Sequence, residues 1–173
     1  MTKLSILPKE LQLIKTLVYD KCNFDFTNPK LNSESSDYGA CSFQLNGKNI
    51  QFRISKITPT KTGQFVTIWK RNQEGITVPF DLSDEMDFVI IAARRESDFG
   101  QFIFPKQVLT DQGIISQNGK SGKRGIRVYP PWDIAENKQA KKTQSWQIQY
   151  FLSIQSDNSF DLNWAKKLFA STS

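Results

Sequence analysis

The sequence contains no histidine and only two cysteines. Without histidine neither a Ser–His–Asp triad nor a Cys–His pair can be assembled, so nucleophilic chemistry of that kind is excluded. An ordinary structural zinc site is excluded as well, because it normally takes four Cys or His ligands. Cys22 and Cys41 lie outside any CxxC pair, and nothing marks the chain as secreted. We therefore expect buried or partly buried free thiols, with a disulfide between the two as the alternative.

Long apolar stretches are also missing. The longest run, Phe88–Ala93, is far shorter than the roughly 20 residues that a membrane-spanning helix needs. Met1–Lys15 lacks the apolar core of a signal peptide, so we expect a cytoplasmic protein with no membrane partner. The dinucleotide fingerprint GxGxxG and the phosphate-binding P-loop are both absent. No domain boundary or fixed-period repeat is visible, which predicts one domain over residues 1–173 and leaves the oligomeric state open.

Acidic residues are missing from one long segment of this chain of net charge +6. None occurs from Tyr38 to Gln73, whereas six basic residues do. A second basic segment, Lys120–Lys142, contains seven Lys or Arg against Asp133 and Glu136. Positive charge that is segregated in this way favours a polyanionic partner through long-range attraction.

The elements that are present predict an α/β fold with a mixed central sheet flanked by helices. Hydrophobic spacing predicts helices at Pro8–Tyr19, Gln107–Asp111, Ala135–Leu152 and Leu162–Phe169. Alternating or continuous apolar runs predict strands at Ser42–Leu45, Asn49–Ile57, Gln64–Lys70, Asp87–Ala93, Gly100–Phe104 and Ile126–Tyr129. We expect loops at Lys21–Tyr38, Gln73–Pro79 and Ser116–Gly125. Asn46-Gly47 predicts a type I′ hairpin turn, with Arg53 on the face opposite the core.

Several groups of residues are suited to contacts with nucleic acid. Lys and Arg neutralise phosphates, glycine-rich loops let the backbone approach a ligand, and aromatic rings stack on bases. The basic loop and the short strand after it supply Lys120, Lys123, Arg124, Arg127 and Tyr129. The next helix supplies Lys141, Lys142 and Gln144. The turn before the third strand and the strand itself supply Lys61, Gln64, Lys70 and Arg71. Each group also has an ordinary interpretation, as a solvated loop, a solvated helix face or a common turn.

A second, less specific pattern combines Asp81 and Asp87 with Lys106. Metal-dependent nucleases use carboxylates to hold Mg²⁺ and a lysine to stabilise developing charge or to orient water. The spacing from Asp87 to Lys106 suits two neighbouring strands. Carboxylates that precede an apolar strand are common, however, so the pattern alone does not select a nuclease.

The sequence resembles the MepB family. The resemblance rests on five segments, which cover roughly residues 40–152: TPTKTGQFVTIWKR (58–71), PFD (79–81), GQFIFPK (100–106), GKRGIRVYPPWD (122–133) and QAKKTQSWQ (139–147). It implies a bacterial cytoplasmic protein with the restriction-endonuclease-like α/β fold and a role with nucleic acid, although a fold alone does not establish an activity.

The usual active site of that fold can be compared with this chain residue by residue. The site pairs an Asp with a (D/E)xK motif on the next strand, and Asp87 and Lys106 match the first Asp and the Lys. Phe104 stands where the second acid belongs, so Asp81 or Glu85 would have to replace it.

Three functions follow from these patterns. The first is a non-catalytic nucleic-acid-binding protein that needs no cofactor. The second is a Mg²⁺-dependent nuclease that uses Asp81, Asp87 and Lys106, with the two aspartates as metal ligands. The third is a regulatory protein-interaction module without a nucleic-acid partner. The choice between DNA and RNA is left open.

Overall fold

A six-stranded mixed sheet forms the centre of the protein, for which a computed structural model describes residues 7–170. The strands along the chain are β1 (Phe26–Leu31), β2 (Cys41–Leu45), β3 (Lys48–Ile54), β4 (Lys56–Ile57), β5 (Gln64–Thr67), β6 (Trp69–Arg71), β7 (Thr77–Pro79), β8 (Phe88–Arg95), β9 (Asp98–Pro105), β10 (Gly125–Val128) and β11 (Phe151–Ile154). The helices are α1 (Lys9–Ile14), which continues as a π-helical segment (Lys15–Tyr19), α2 (Lys106–Asp111), α3 (Lys138–Gln147) and α4 (Leu162–Ala170).

The central sheet has the order β1-β2-β3-β8-β9-β11. Its neighbouring strands are antiparallel except for β3 and β8, which run parallel. Strand β8 is buried throughout its apolar run, Phe88–Ala93, because both faces of the sheet are covered. The prediction of a mixed sheet flanked by helices is therefore confirmed.

The two faces of the sheet support two hydrophobic cores. On one face α1 and α4 pack against the sheet, with Leu11, Ile14 and Phe169 among the contacts. On the other face lie α2, α3, the small sheet β10-β5-β4 and the β6-β7 ribbon. This second layer carries most of the residues that the sequence assigned to ligand contacts.

The Asn46-Gly47 hairpin forms between β2 and β3 as predicted. Asn46 and Gly47 have φ values of +53° and +79°, the left-handed conformations that a type I′ turn requires. Arg53 lies on the face opposite the first core, but that face is covered by the second layer, so only 1% of Arg53 is exposed. Burial lowers the pKa of its guanidinium to about 10. Its side chain donates a hydrogen bond to the carbonyl oxygen of Phe52 at 2.9 Å.

The strands predicted at Asn49–Ile57 and Gln64–Lys70 are each divided into two. Three other predicted segments differ from the structure because long-range strand pairing decides their conformation. The predicted loop Lys21–Tyr38 contains β1, which pairs with β2. The predicted loop Gln73–Pro79 ends in β7, which pairs with β6. The predicted helix Ala135–Leu152 is shorter, because the chain after Gln147 turns and enters β11 beside β9.

The expectation of free, buried cysteines is confirmed. Cys22 and Cys41 are free and buried, and burial raises the pKa of the Cys41 thiol to about 12. Within residues 7–170, no helix is long and apolar enough to cross a membrane. Residues 1–6 and 171–173, which the predicted domain includes, lie outside the described part of the chain.

Candidate functional site

A cleft with a volume of about 440 Å³ opens between β10 and α3, in the second layer. It brings together four of the predicted contact residues, Lys61, Lys123, Arg127 and Tyr129. Phe65 and Trp146 add two more aromatic side chains to its lining, while Gln112, Asn137, Gln139, Thr143 and Gln147 add polar ones. None of the described residues that line it is acidic. We refer to this site as the basic cleft.

One wall of the basic cleft comes from the alternation of side chains along β10. Ile126 and Val128 are buried in the second core. Arg127 and Tyr129 therefore point the other way, into the cleft. Strand β10 pairs antiparallel with β5, which places Arg127 opposite Phe65.

The opposite wall is one face of α3. Asn137 caps the start of the helix, since its side chain accepts a hydrogen bond from the Ala140 N–H at 2.8 Å. The cleft-lining positions within the helix recur at three- and four-residue spacing, which places them on one side of it: Gln139, Ala140, Thr143, Trp146 and Gln147.

Gln147 joins the two walls, and no pattern in the sequence distinguishes it from other glutamines. It is 1% exposed. Its side-chain nitrogen donates to the carbonyl oxygen of Arg127 at 3.1 Å, and its side-chain oxygen accepts from the Tyr129 N–H at 2.8 Å. Both backbone groups belong to residues whose side chains face the cleft, and they lie on either side of the buried Val128.

Arg127 fixes the loop that closes one side of the cleft. Its Nη1 donates to the carbonyl oxygen of Thr62, and its Nη2 donates to Oγ1 of Thr58, each at 3.0 Å. A guanidinium carries five N–H donors, so these two bonds leave capacity for an anion. Lys61 extends from this loop and is exposed, as is Lys123 on the far side.

Two predicted contact residues have structural roles instead of facing a ligand. Gln64 is 1% exposed. It accepts from Ser55 Oγ at 2.7 Å and donates to the Arg94 carbonyl at 3.2 Å. Gln144 donates to the carbonyl oxygens of Pro130 and Asp133 at 3.0 and 2.8 Å, and so fixes the turn before α3.

The remaining predicted residues lie around the cleft and outside its lining. Lys141 and Lys142 are exposed on α3, at positions away from the cleft-lining side. Lys120 is exposed in the turn before Lys123. The Arg124 Nε donates to the carbonyl oxygen of Thr77 at 3.1 Å.

Lys70 and Arg71 have partners within the chain. Lys70 pairs with Asp84 at 2.6 Å. Arg71 lies over the Trp69 ring at 5.4 Å and donates to the carbonyl oxygen of Gly75. Lys70 belongs to a separate groove of about 590 Å³ floored by side-chain amides, where Asp84 and Glu85 oppose its charge. That groove is a weaker candidate for a polyanion than the basic cleft.

The basic cleft lies within the part of the chain that matches a known family. The family model described as MepB-like matches residues 32–153, well over half of the chain. The chain belongs to the MepB-like family. A solved structure described as the crystal structure of MepB is similar at 32% sequence identity and a TM-score of 0.74, over 85% of this chain and 97% of that one. No curated protein matches the chain.

The three residues proposed for a nuclease site each make structural contacts in this MepB-like fold. Asp81 accepts hydrogen bonds from the Ser83 hydroxyl and N–H at 2.6 and 2.9 Å, which lower its pKa, and Lys70 and Lys106 lower it further. Asp87 accepts from the Asn49 N–H at 2.8 Å. The Lys106 Nζ donates to the carbonyl oxygens of Leu82 and Asp84 at 3.1 and 2.6 Å.

The position where a restriction-endonuclease-like site would need its second acid belongs to the hydrophobic core. Phe104 is fully buried, and its ring stacks on Phe102 with 5.3 Å between centroids. Across residues 7–170, no three Cys, Asp or Glu side chains are grouped so that they could hold a metal ion. The restriction-endonuclease-like architecture, which the sequence resemblance implied, stays a prediction.

Proposed function

We propose that the basic cleft binds single-stranded nucleic acid without cleaving it. The observation that carries this proposal is the lining of the cleft, in which three basic and three aromatic side chains converge with no acid among the described lining residues. Basic side chains neutralise the phosphates, and aromatic faces stack on bases regardless of sequence.

The shape of the cleft favours a single strand over a duplex. Its volume of about 440 Å³ is within the range of sites for small ligands, so it accommodates a nucleotide and excludes a double helix. Tyr129 and Trp146 lie inside the lining, where they can stack only on a base that is free of its own helical stack. A duplex would contact only the exposed lysines around the opening.

The contacts of Asp81, Asp87 and Lys106 favour the nuclease hypothesis less than the lining of the basic cleft favours nucleic-acid binding. Lys106 donates hydrogen bonds to the loop that contains Asp81, and the Asp87 carboxylate accepts a hydrogen bond from the backbone of β3. Each contact stabilises the local fold. The regulatory module without nucleic acid is the third alternative, and the titration below distinguishes it from the other two.

A titration tests the proposal. A fluorescent single strand of about 12 nucleotides and the corresponding duplex are titrated between about 50 and about 200 mM salt, with Mg²⁺ and with chelator. If Lys61, Lys123 and Arg127 each contact one phosphate, the logarithm of the binding constant falls against the logarithm of salt with a slope of about −2. We expect the single strand to bind more tightly than the duplex and to remain intact.

The same titration separates the alternatives. Cleavage that requires Mg²⁺ and is lost in Asp87→Asn would replace the binder with the nuclease. If neither probe binds at the lowest salt concentration, the proposal is wrong and the protein-interaction module takes its place.

A further inference from the structure

The strand pair β5-β10 turns one of its faces towards the basic cleft. Arg127 lies directly opposite Phe65 in the antiparallel register, and continuing that register by two positions places Tyr129 opposite Gly63. Side chains at every second position of a strand point to the same face. Phe65, Arg127 and Tyr129 therefore share the cleft side of the pair, and all three are half-buried there.

Both aromatic rings on this face lie against a glycine of the neighbouring strand segment. A Cβ added to Gly63 would lie 2.7 Å from the ring of Tyr129, and one added to Gly125 would lie 2.6 Å from Cζ of Phe65. The Phe65 ring is also held by Tyr38 in a T-shaped contact, with 6.1 Å between centroids. The two rings therefore lie towards opposite ends of the strand pair.

The separation of the two rings fits bases that are not stacked on each other. Phe65 and Tyr129 are diagonal neighbours across the strand pair, and such neighbours are about 7–8 Å apart. Consecutive bases in a helical stack are only about 3.4 Å apart along the axis. Two consecutive bases can therefore reach both rings only when the strand between them is extended.

Arg127 lies between the two ring-bearing positions on the same face. Its guanidinium is fixed by the carbonyl oxygen of Thr62 and by Oγ1 of Thr58, each at 3.0 Å, so little side-chain freedom is lost when an anion binds. A guanidinium has five N–H donors, and those left over are available to a phosphate. Consecutive bases are joined through one phosphate, so a cation between two rings matches the connectivity of the strand.

We infer that the basic cleft binds two consecutive bases of an extended single strand, one against Phe65 and one against Tyr129. The phosphate between the two bases contacts Arg127, while the sugars stay at the opening of the cleft. This inference rests on the proposed function, because it divides the same cleft into two base sites. It makes a dinucleotide the smallest ligand that uses the whole face of the strand pair.

The test uses ligands from which one base at a time is missing. Dinucleotides phosphorylated at both ends carry both bases, only the 5′ base or only the 3′ base, the other position being abasic. They are titrated at low salt, by NMR, against the wild type, Phe65→Leu and Tyr129→Leu. Loss of either base should weaken binding to the wild type about fivefold or more. Phe65→Leu should be insensitive to the loss of one base, and Tyr129→Leu to the loss of the other.

A second ligand tests the position of Arg127. A methylphosphonate linkage between the two bases removes the charge of the central phosphate and leaves both terminal phosphates in place. It should weaken binding to the wild type several-fold and should have little further effect on Arg127→Gln. An equal effect of the linkage on both proteins would contradict the contact between Arg127 and the central phosphate.

A single strand of about 12 nucleotides, titrated alongside, separates failure of this inference from failure of the proposed function. If the strand binds but Phe65→Leu and Tyr129→Leu respond to the same base or to neither, the two-base arrangement is wrong and nucleic-acid binding stands. Binding of the strand without measurable binding of the intact dinucleotide has the same meaning. If the strand does not bind, both proposals are overturned. Each comparison is made between ligands on one protein, so a loss of stability in a variant does not imitate the expected pattern.

Discussion

Gly63 occupies a position where any side chain would disturb the basic cleft. Its φ is +85°, and an added Cβ would lie 2.7 Å from the ring of Tyr129 and 2.9 Å from the Val128 carbonyl oxygen. We predict that Gly63→Ala displaces Tyr129 and weakens single-strand binding. Its free energy of unfolding should fall by the cost of a left-handed alanine, about 1–2 kcal/mol, and by a further 1–3 kcal/mol or so for the overpacking.

Gly113→Ala separates the cost of a left-handed alanine from the cost of overpacking against Tyr129. Gly113 has a similar φ of +74°, and an added Cβ would meet nothing within 4 Å. Urea unfolding of both variants should therefore show the larger loss for Gly63→Ala. Equal losses, or binding that is unchanged in Gly63→Ala, would contradict the contact with Tyr129.

The free energy of unfolding depends on pH through Asp133, and the direction of that dependence follows from the shift in the pKa of this residue. Its folded-state pKa is raised above the ordinary value of 3.8, so its contribution to stability is fully present below that value and is lost as pH rises through the raised pKa. Asp133→Asn does not ionise. We predict that the variant gains stability relative to the wild type as pH increases from 3.8 towards neutrality, as measured by urea unfolding across pH.

Asp157→Asn should show the opposite trend. Hydrogen bonds from Ser159 lower the pKa of Asp157 below 3.8, so its contribution is present above 3.8 and is lost as pH falls through the lowered pKa. That variant should lose stability relative to the wild type as pH increases. If the stability of both variants relative to the wild type changed in the same direction with pH, burial would not be the main cause of the shift in the pKa of Asp133.

The contact between α3 and β10 depends on Gln147. Removing its side chain leaves the Arg127 carbonyl and the Tyr129 N–H without their partners, and an unsatisfied buried polar group costs about 1–3 kcal/mol. We predict that Gln147→Ala lowers the free energy of unfolding by about that amount. It should also weaken single-strand binding, because the two walls of the cleft are no longer joined.

Gln149→Ala is the matched control. Gln149 is exposed, and its side chain bonds only to the Ser145 carbonyl on the same stretch of chain, at 3.3 Å. Denaturant unfolding and the binding titration should both show a change within about 0.5 kcal/mol for this variant. Similar losses for Gln147→Ala and Gln149→Ala would contradict the bridging role.

Elements with a strong local signal could be predicted from the sequence. Asn46-Gly47 specified its turn because both positions accept positive φ, and β8 was evident from its apolar run. Strand β1 could not be predicted, because only its end residues Phe26 and Leu31 are apolar and Pro29 lies between them, and it is a strand only by pairing with β2. The same holds for β11, where an apolar stretch after a helix fits either conformation until β9 pairs with it.

The cleft as a whole could be predicted only in part. Charge and aromatic content identified Lys61, Lys123, Arg127 and Tyr129, which are far apart in sequence but share one site in the structure. The contribution of Trp146 depends on the packing of α3 against β10 and has no local signature. Long-range contacts likewise determine that the glutamines at 64 and 144 stabilise the fold.

The most direct test of nucleic-acid binding in the basic cleft compares two variants of equal charge. Lys61→Ala/Lys123→Ala removes two exposed lysines from the cleft, and Lys166→Ala/Lys167→Ala removes two exposed lysines from α4, which packs on the opposite face of the sheet. Both are titrated with the same fluorescent single strand over a range of salt concentrations.

The first double variant should lose about tenfold or more in affinity at low salt, and its salt slope should fall from about −2 to about −0.7. The second should match the wild type in slope. Equal effects of the two double variants would show that net charge alone drives the interaction, and would contradict a binding site in the cleft.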